Sequence, residues 1–293
     1  MVLTHRRAVL VMVAVTMMWA TAGVVTRQLE HARSFEVTFW RSLFTVISLC
    51  AILPVLSGRE VFHQIRQGGR VLWMSGACWC VMFTAFMLAL TMTTVANVLV
   101  TLSVGPLLTA LIARITIGHH IAARTWVAIV VAGAGIAYMY GTEFSGGQLA
   151  GTLVAFAVPV AGAINWTITQ RSNNQGAQGQ KLDLLPAVLI GATLSTLVTL
   201  PLAFPFQAST RDVGLLAFLG LVQLAIPCAL AVICARVLKA PEISLLALLE
   251  VIFGILLAWV GANEVPAPTV LTGGALVIGA LVFNEALGWR ERP

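Results

Sequence analysis

The chain has 293 residues, of which 59% are hydrophobic and only 10% charged, with a mean hydropathy of +0.95. A water-soluble domain carries roughly 25% charged residues, so this chain cannot cover a folded surface with polar groups. The net charge of +6 does not point to nucleic acid, because the Lys and Arg residues sit between apolar runs, where they set topology instead.

Taken in order, the apolar runs predict ten membrane-spanning helices at about 8–28, 36–56, 71–91, 94–115, 124–141, 150–170, 183–204, 213–236, 243–262 and 268–288. Runs of this length span a bilayer as helices. Barrel strands would alternate polar and apolar residues over about ten positions. The first run follows His5, Arg6 and Arg7 and ends near Ala20-Thr21-Ala22, a signal-peptide pattern. Its apolar character continues through Val25 and many spans follow, so it reads as a retained first helix. Connections are short, with polar stretches at Ser57 to Arg70 and Arg171 to Lys181. The second is rich in Gln, Gly and Asn and reads as a flexible linker between two halves. Five cysteines (Cys50, Cys78, Cys80, Cys228 and Cys234) all lie in apolar runs, without a CxxC pair, and read as packing residues.

Charge placement orients the spans. With ten helices and a cytoplasmic N-terminus, thirteen of the seventeen Lys and Arg residues fall on cytoplasmic segments. Arg27, Arg33 and Arg211 fall outside, and Arg41 lies within a span. This asymmetry predicts a multi-pass protein of the bacterial inner membrane with both termini in the cytoplasm. The two halves also resemble each other. A shift of 145 residues places Gly105 on Glu250, Pro106 on Val251 and His119 on Glu264. Five spans per half is an odd number, so similar halves insert with opposite orientation, as in secondary transporters. The predicted architecture is an all-α membrane protein of two inverted five-helix repeats, residues 1–145 and 146–293, around a central cavity.

Several short motifs carry a family resemblance. They are Trp19-Ala20, Phe39-Trp40-Arg41, Ala89-Leu90, Pro106-Leu107-Leu108-Thr109-Ala110 with Gly118, Leu249-Glu250-Val251-Ile252-Phe253 with Glu264, and the stretch from Gly273 to Gly279. Together they resemble the drug/metabolite transporter superfamily, in particular its EamA-type ten-helix exporters. Val251 stands where the family usually has Pro, and His119 where it usually has Glu. The resemblance implies a ten-helix basket that exports small metabolites, amino acids often among them.

Two charged residues fall within spans. Arg41 lies about five residues into the second, where a charge costs roughly 2.5–3.5 kcal/mol on insertion scales, less near an interface. It either attracts a substrate carboxylate through its planar fork, or pairs with Glu36 or a helix end, or reaches toward the outer surface. Glu250 lies deep in the ninth span and fits a proton-coupled site, an amine-binding site or a hydrogen-bonded structural role. Asn97, Ser103, Asn165 and Gln223 are candidate substrate-binding groups and equally candidate interhelical hydrogen-bonding groups. Trp19, Trp40, Trp79 and Trp166 are candidates to line a cavity, whereas Trp73, Trp126 and Trp289 read as interfacial anchors. Pro106, Pro159 and Pro227 lie inside spans, where each removes a backbone hydrogen bond.

The sequence thus points to a secondary transporter working by alternating access on a small-molecule substrate. It points to no cofactor and to a monomer, with a homodimer through the final span as the alternative. A channel or membrane-embedded enzyme is the competing class. His119-His120 lacks the spaced partners of a metal site, Asp183 and Asp212 sit at span edges, and there is no nucleotide-binding loop.

Overall fold

The computed structural model of the chain describes residues 4–58, 61–117, 123–141, 146–176, 183–238 and 240–290. Among these residues the secondary structure is entirely helical. In chain order the helices are α1 (His5–Thr26), α2 (Ser34–Ser57), α3 (Val61–Gln67), α4 (Arg70–Met92), α5 (Val95–Leu102), α6 (Gly105–Ile117) and α7 (Ala123–Gly141). There follow α8 (Gly146–Gly176), α9 (Leu185–Ala203), α10 (Thr210–Phe218), a π-helical segment at Leu219–Ala225, α11 (Ile226–Cys234), α12 (Ala240–Ala262) and α13 (Pro268–Arg290).

Eight stretches are long and apolar enough to cross a membrane: α1, α2, α4, α5 with α6, α8, α9, α10 through α11, and α12. Two further helices, α7 and α13, contain the shorter apolar segments Trp126–Gly135 and Pro268–Ala280. A helix satisfies its own backbone N–H and C=O groups, which is what a chain immersed in hydrocarbon requires. Large apolar side chains point outward along the helices, among them Leu10, Val55, Leu153, Val260 and Phe283. So extensive an apolar exterior is foreign to a monomer in water and suits contact with lipid. Trp73 and Trp126 are among the exposed side chains, consistent with anchoring at an interface.

Three features depart from the predicted spans. The fourth span is broken between α5 and α6 at Ser103 and Val104, where Pro106 has no N–H to donate to the Leu102 carbonyl four residues back. The stretch from Ser57 to Arg70 contains the short helix α3. The stretch read as a linker from Arg171 is helical as far as Gly176. It is held there by the buried Ser172 and by Asn173 Nδ2, which donates to the Ala235 carbonyl at 2.7 Å. The rest of that stretch, and the Gly118-His119-His120 loop, lie outside the described residues.

Close helix contacts form where side chains are small. A Cβ at Gly76 would meet Ile190, and one at Gly191 would meet Trp79 and the Gly76 carbonyl, so α4 and α9 touch almost backbone to backbone. Ala128 and Ala132 on α7 are buried, and Gly135 on the same helix faces the Gly273 carbonyl of α13. Gly254 and Ala258 on α12 are also buried. In contrast, Ala275 and Gly279 on α13 face outward.

Candidate functional site

The helices surround a cavity of about 150 Å³, room on the order of ten waters. Each wall is a stripe at helical spacing. Helix α4 supplies Trp79, Met82, Phe83 and Phe86; α5 and α6 supply Leu99, Leu102, Gly105, Pro106 and Thr109. From α8 come Val158, Pro159, Gly162, Ala163 and Trp166, and from α12 Ser244, Ala247, Leu248, Glu250 and Val251. Trp19 of α1, Arg41 of α2, and Gln223, Leu224 and Cys228 of the π segment and α11 close the ring. The lining is mostly apolar and aromatic with a few polar groups, the usual make-up of a small-molecule site.

Arg41 is fully buried. Its Nη1 donates to Gln223 Oε1 at 3.2 Å and its Nη2 to the Phe83 carbonyl at 2.5 Å, while the Phe86 ring lies 6.0 Å from the guanidinium carbon. The guanidinium offers five N–H donors, and its buried Nε has no hydrogen-bond partner. Of the alternatives for Arg41, the pairing with Glu36 does not form. The Glu36 carboxylate instead accepts from the backbone N–H groups of Gln207 and Ala208 and from Trp40 Nε1. Among the described residues no carboxylate lies within ion-pair distance of Arg41.

Glu250 faces the same cavity half-buried. No hydrogen bond or ion pair holds its carboxylate among the described residues. Cys228 and Trp19 line the same cavity as Arg41 and Glu250. One cavity therefore presents a cation and a carboxyl group that are not spent on each other. Thr109 and Ser244, whose hydroxyls are 3.2 Å apart, add polar groups from α6 and α12. Trp79 and Trp166 meet edge to face at 5.8 Å and form an aromatic corner, in which Trp79 Nε1 is buried without an acceptor.

Of the ten candidate residues, Arg41, Glu250, Trp19, Trp79, Trp166 and Gln223 line this cavity. The other four lie elsewhere. Trp40 packs against Phe39, Phe44 and Phe206. Asn97 is buried in the first turn of α5, its Nδ2 donating to Thr93 Oγ1 at 3.2 Å. Ser103 closes α5 by donating to the Val100 carbonyl at 2.6 Å. Asn165 accepts from Ser75 Oγ at 2.6 Å and so ties α8 to α4. Phe83, Phe86 and Ser244 were not singled out by the sequence, and Thr109 and Cys228 entered it only as part of a family motif and as a packing residue. Their signal was spacing: 79, 83 and 86 lie on one helical face, as do 244, 247, 248 and 251.

Ion pairs brace the bundle at both ends. At one end Arg27 Nε donates to Glu264 Oε2 at 2.6 Å, while its Nη1 and Nη2 donate to the Leu90 and Thr93 carbonyls, each at 2.8 Å. Glu264 Oε1 also accepts from the Val95 N–H at 2.6 Å. At the other end Arg236 donates to Asp183 at 2.8 Å, and His5 lies 3.6 Å from Glu242.

The sequence profile of the EamA-like transporter family matches residues 6–141. No curated relative matches the sequence. A solved crystal structure of a protein superposes with a TM-score of 0.65 at 16% identity, covering 99% of this chain and 100% of that one; the likeness is one of fold. Long apolar helices and a central cavity agree with the family match, in which residues 6–141 are similar to the EamA-like transporter family of the drug/metabolite transporter superfamily.

Proposed function

We propose that this membrane transporter exports amino acids by alternating access, and that Arg41 and Glu250 hold the two charged ends of the substrate. The observation that carries the reading is the pair itself: a buried guanidinium with unused donors and an unpartnered carboxyl group facing one apolar cavity. A zwitterion brings the complementary charges, a carboxylate for the Arg fork and an ammonium for Glu250. The resemblance to ten-helix exporters supplies the direction of transport.

The helix boundaries support ten crossings in two inverted repeats. Adding 145 carries the limits of α5 through α6, Val95 and Ile117, onto those of α12, Ala240 and Ala262. The same shift carries the start of α7, Ala123, onto the start of α13, Pro268. It also relates two contacts between α5–α6 and α12. Leu99, which a Cβ on Gly254 would meet, maps to Ser244, and Gly254 maps to Thr109, the partner of Ser244. One helix pair therefore touches at two equivalent points on either side of the cavity. That geometry suits a site exposed first to one face and then to the other.

The test is entrance counterflow in liposomes loaded with individual amino acids. The protein is expected to accelerate exchange of at least one. Arg41→Ala and Glu250→Gln are each expected to cut uptake 10- to 100-fold at normal expression, since a hydrogen bond to a charged group contributes about 1.5–3 kcal/mol. Wild-type rates in both variants would refute the assigned roles. Flux without counterflow acceleration would favour a channel, and chemical conversion of the cargo would favour an enzyme.

A further inference from the structure

The π-helical segment has an identifiable cause. The Ile226 N–H donates to the Leu221 carbonyl, five residues back. Pro227 has no N–H, so it donates neither to the Gln223 carbonyl four residues back nor to the Val222 carbonyl five back. The helix accommodates this with a wider turn, as π segments do, often at functional sites. The turn faces Arg41. At Gly220 an added Cβ would sit 2.6 Å from Phe44 Cβ, 2.8 Å from the Arg41 carbonyl and 2.9 Å from the Thr45 nitrogen. Thr45 Oγ1 lies 3.2 Å from the Gly220 carbonyl. The π segment is thus pressed against the backbone that carries Arg41, and the next turn delivers Gln223, only 2% exposed, to the guanidinium.

We infer that Gln223 is a positioning residue: the Pro227-induced π turn brings its amide oxygen to Arg41 Nη1, and this bond, with the Phe83 carbonyl on Nη2, fixes the guanidinium so that it presents its charge to the cavity. Neither acceptor carries a formal charge. A carboxylate in place of Gln223 would hold Arg41 equally well but would neutralise it. A neutral amide and a carbonyl orient the fork and leave its charge for an anionic ligand. Gln223 therefore acts on the substrate through Arg41, not by contact of its own. The inference rests on the reading of this cavity as the substrate site.

Cys228 gives a test that needs no identified substrate, because its side chain, only 1% exposed, lines the same cavity as Arg41 and Glu250. The full-length protein would carry Ala at Cys50, Cys78, Cys80 and Cys234, and Gln in place of Glu250, so that Arg41 is the charge that shares the cavity with the remaining thiol. Its rates of reaction with an anionic methanethiosulfonate (sulfonatoethyl) and a cationic one (trimethylammonioethyl) are then compared, each relative to a free thiol. The expected anion preference is about tenfold. Arg41→Gln abolishes it, and Gln223→Met, similar in volume but without the acceptor, reduces it several-fold. Should the Met variant not purify as a monodisperse protein, Gln223→Asn makes the same test with the amide drawn back by one methylene. An unchanged preference in the Gln223 variants, with Arg41→Gln abolishing it, overturns the positioning role and leaves the site standing. No preference in the parent, or no effect of Arg41→Gln, overturns the site itself; should the buried Cys228 not react, the same comparison is made with Ala247→Cys, a half-buried position on the same cavity, in its place. Pro227→Ala is expected to match Gln223→Met; the parent's preference there would overturn the origin of the π turn in Pro227.

Discussion

Asp212 shows how one side chain can organise a part of the chain remote in sequence. Its carboxylate accepts from the backbone N–H groups of Glu30, His31, Ala32 and Ser209 at 2.9–3.2 Å, and it completes a capping box with Ser209 at the start of α10. The loop between α1 and α2 is thereby tied to the start of α10. Arg211, the neighbouring residue, pairs with Glu30 across the same junction. Leaving a buried donor without a partner costs about 1–3 kcal/mol. Asp212→Ala is therefore expected to lower the melting temperature of the purified protein, with a loss of about 2 kcal/mol, and Asp212→Asn to fall between it and wild type. An Asp212→Ala variant that melts with wild type would show that water replaces the carboxylate at no cost. The sequence placed Asp212 at the edge of a span and could say no more, since its partners are some 180 residues away. Arg41 and Glu250 were legible for the opposite reason: a charged group inside an apolar run is costly wherever it points, so its presence alone asks for a function or a partner.

At the level of helices, the apolar runs located most spans to within a few residues, because a bilayer demands that length whatever the packing. The interruptions were less legible. Pro106, Pro159 and Pro227 each announce a lost hydrogen bond, but what replaces it is decided by the neighbours. Pro106 starts a new helix, α6; Pro159 stays within a continuous α8; and Pro227 yields a π turn. Which residues line the cavity was equally a matter of helix rotation. Asn165 and Trp166 are adjacent, yet one bonds α4 and the other faces the cavity. Small residues fix those rotations. The Gly191 contact with Trp79 and Gly76 allows no added methyl, and Trp79 is itself a cavity wall. Gly191→Ala is expected to cost about 1–3 kcal/mol through overpacking, lowering the melting temperature and weakening transport together. Gly279→Ala, where nothing lies within 4 Å of an added Cβ, serves as the neutral comparison. Equal melting of the two variants would show that α4 and α9 can part without strain.

For the molecule as a whole, the question left to the structure is which end of the cavity is shut. The pairing of Arg27 with Glu264, separated by 237 positions, was not visible in the sequence, because spacing says nothing of partners across a bundle. That pair, with the Leu90, Thr93 and Val95 backbone, joins the ends of α1, α4 and α5 to the connection between α12 and α13. It is one of several links between the first half and the second, with Gln28 donating to the Gly261 carbonyl and the Glu30 N–H to Asp212. If the halves rock as proposed, this clamp closes the face bearing Arg27 and Glu264 and must open for cargo to leave there. An exposed ion pair would contribute little. This one is partly shielded, with side-chain exposures of 29% and 17%, and it shares its oxygens and nitrogens with backbone partners. Removing one hydrogen bond to a charged group, about 1.5–3 kcal/mol, is enough to shift a two-state equilibrium 10- to 100-fold. With both termini in the cytoplasm, the orientation the charge asymmetry predicts, Glu264→Gln is therefore expected to expose the cavity to the outer face. In intact cells, the impermeant sulfonatoethyl reagent should modify Cys228 several-fold faster in this variant than in the wild type, and Cys228→Ser should abolish the difference. If the reagent reached Cys228 equally in both from outside, Arg27 and Glu264 would be a brace of the fold and the closed end would have to be sought at the Arg236–Asp183 pair.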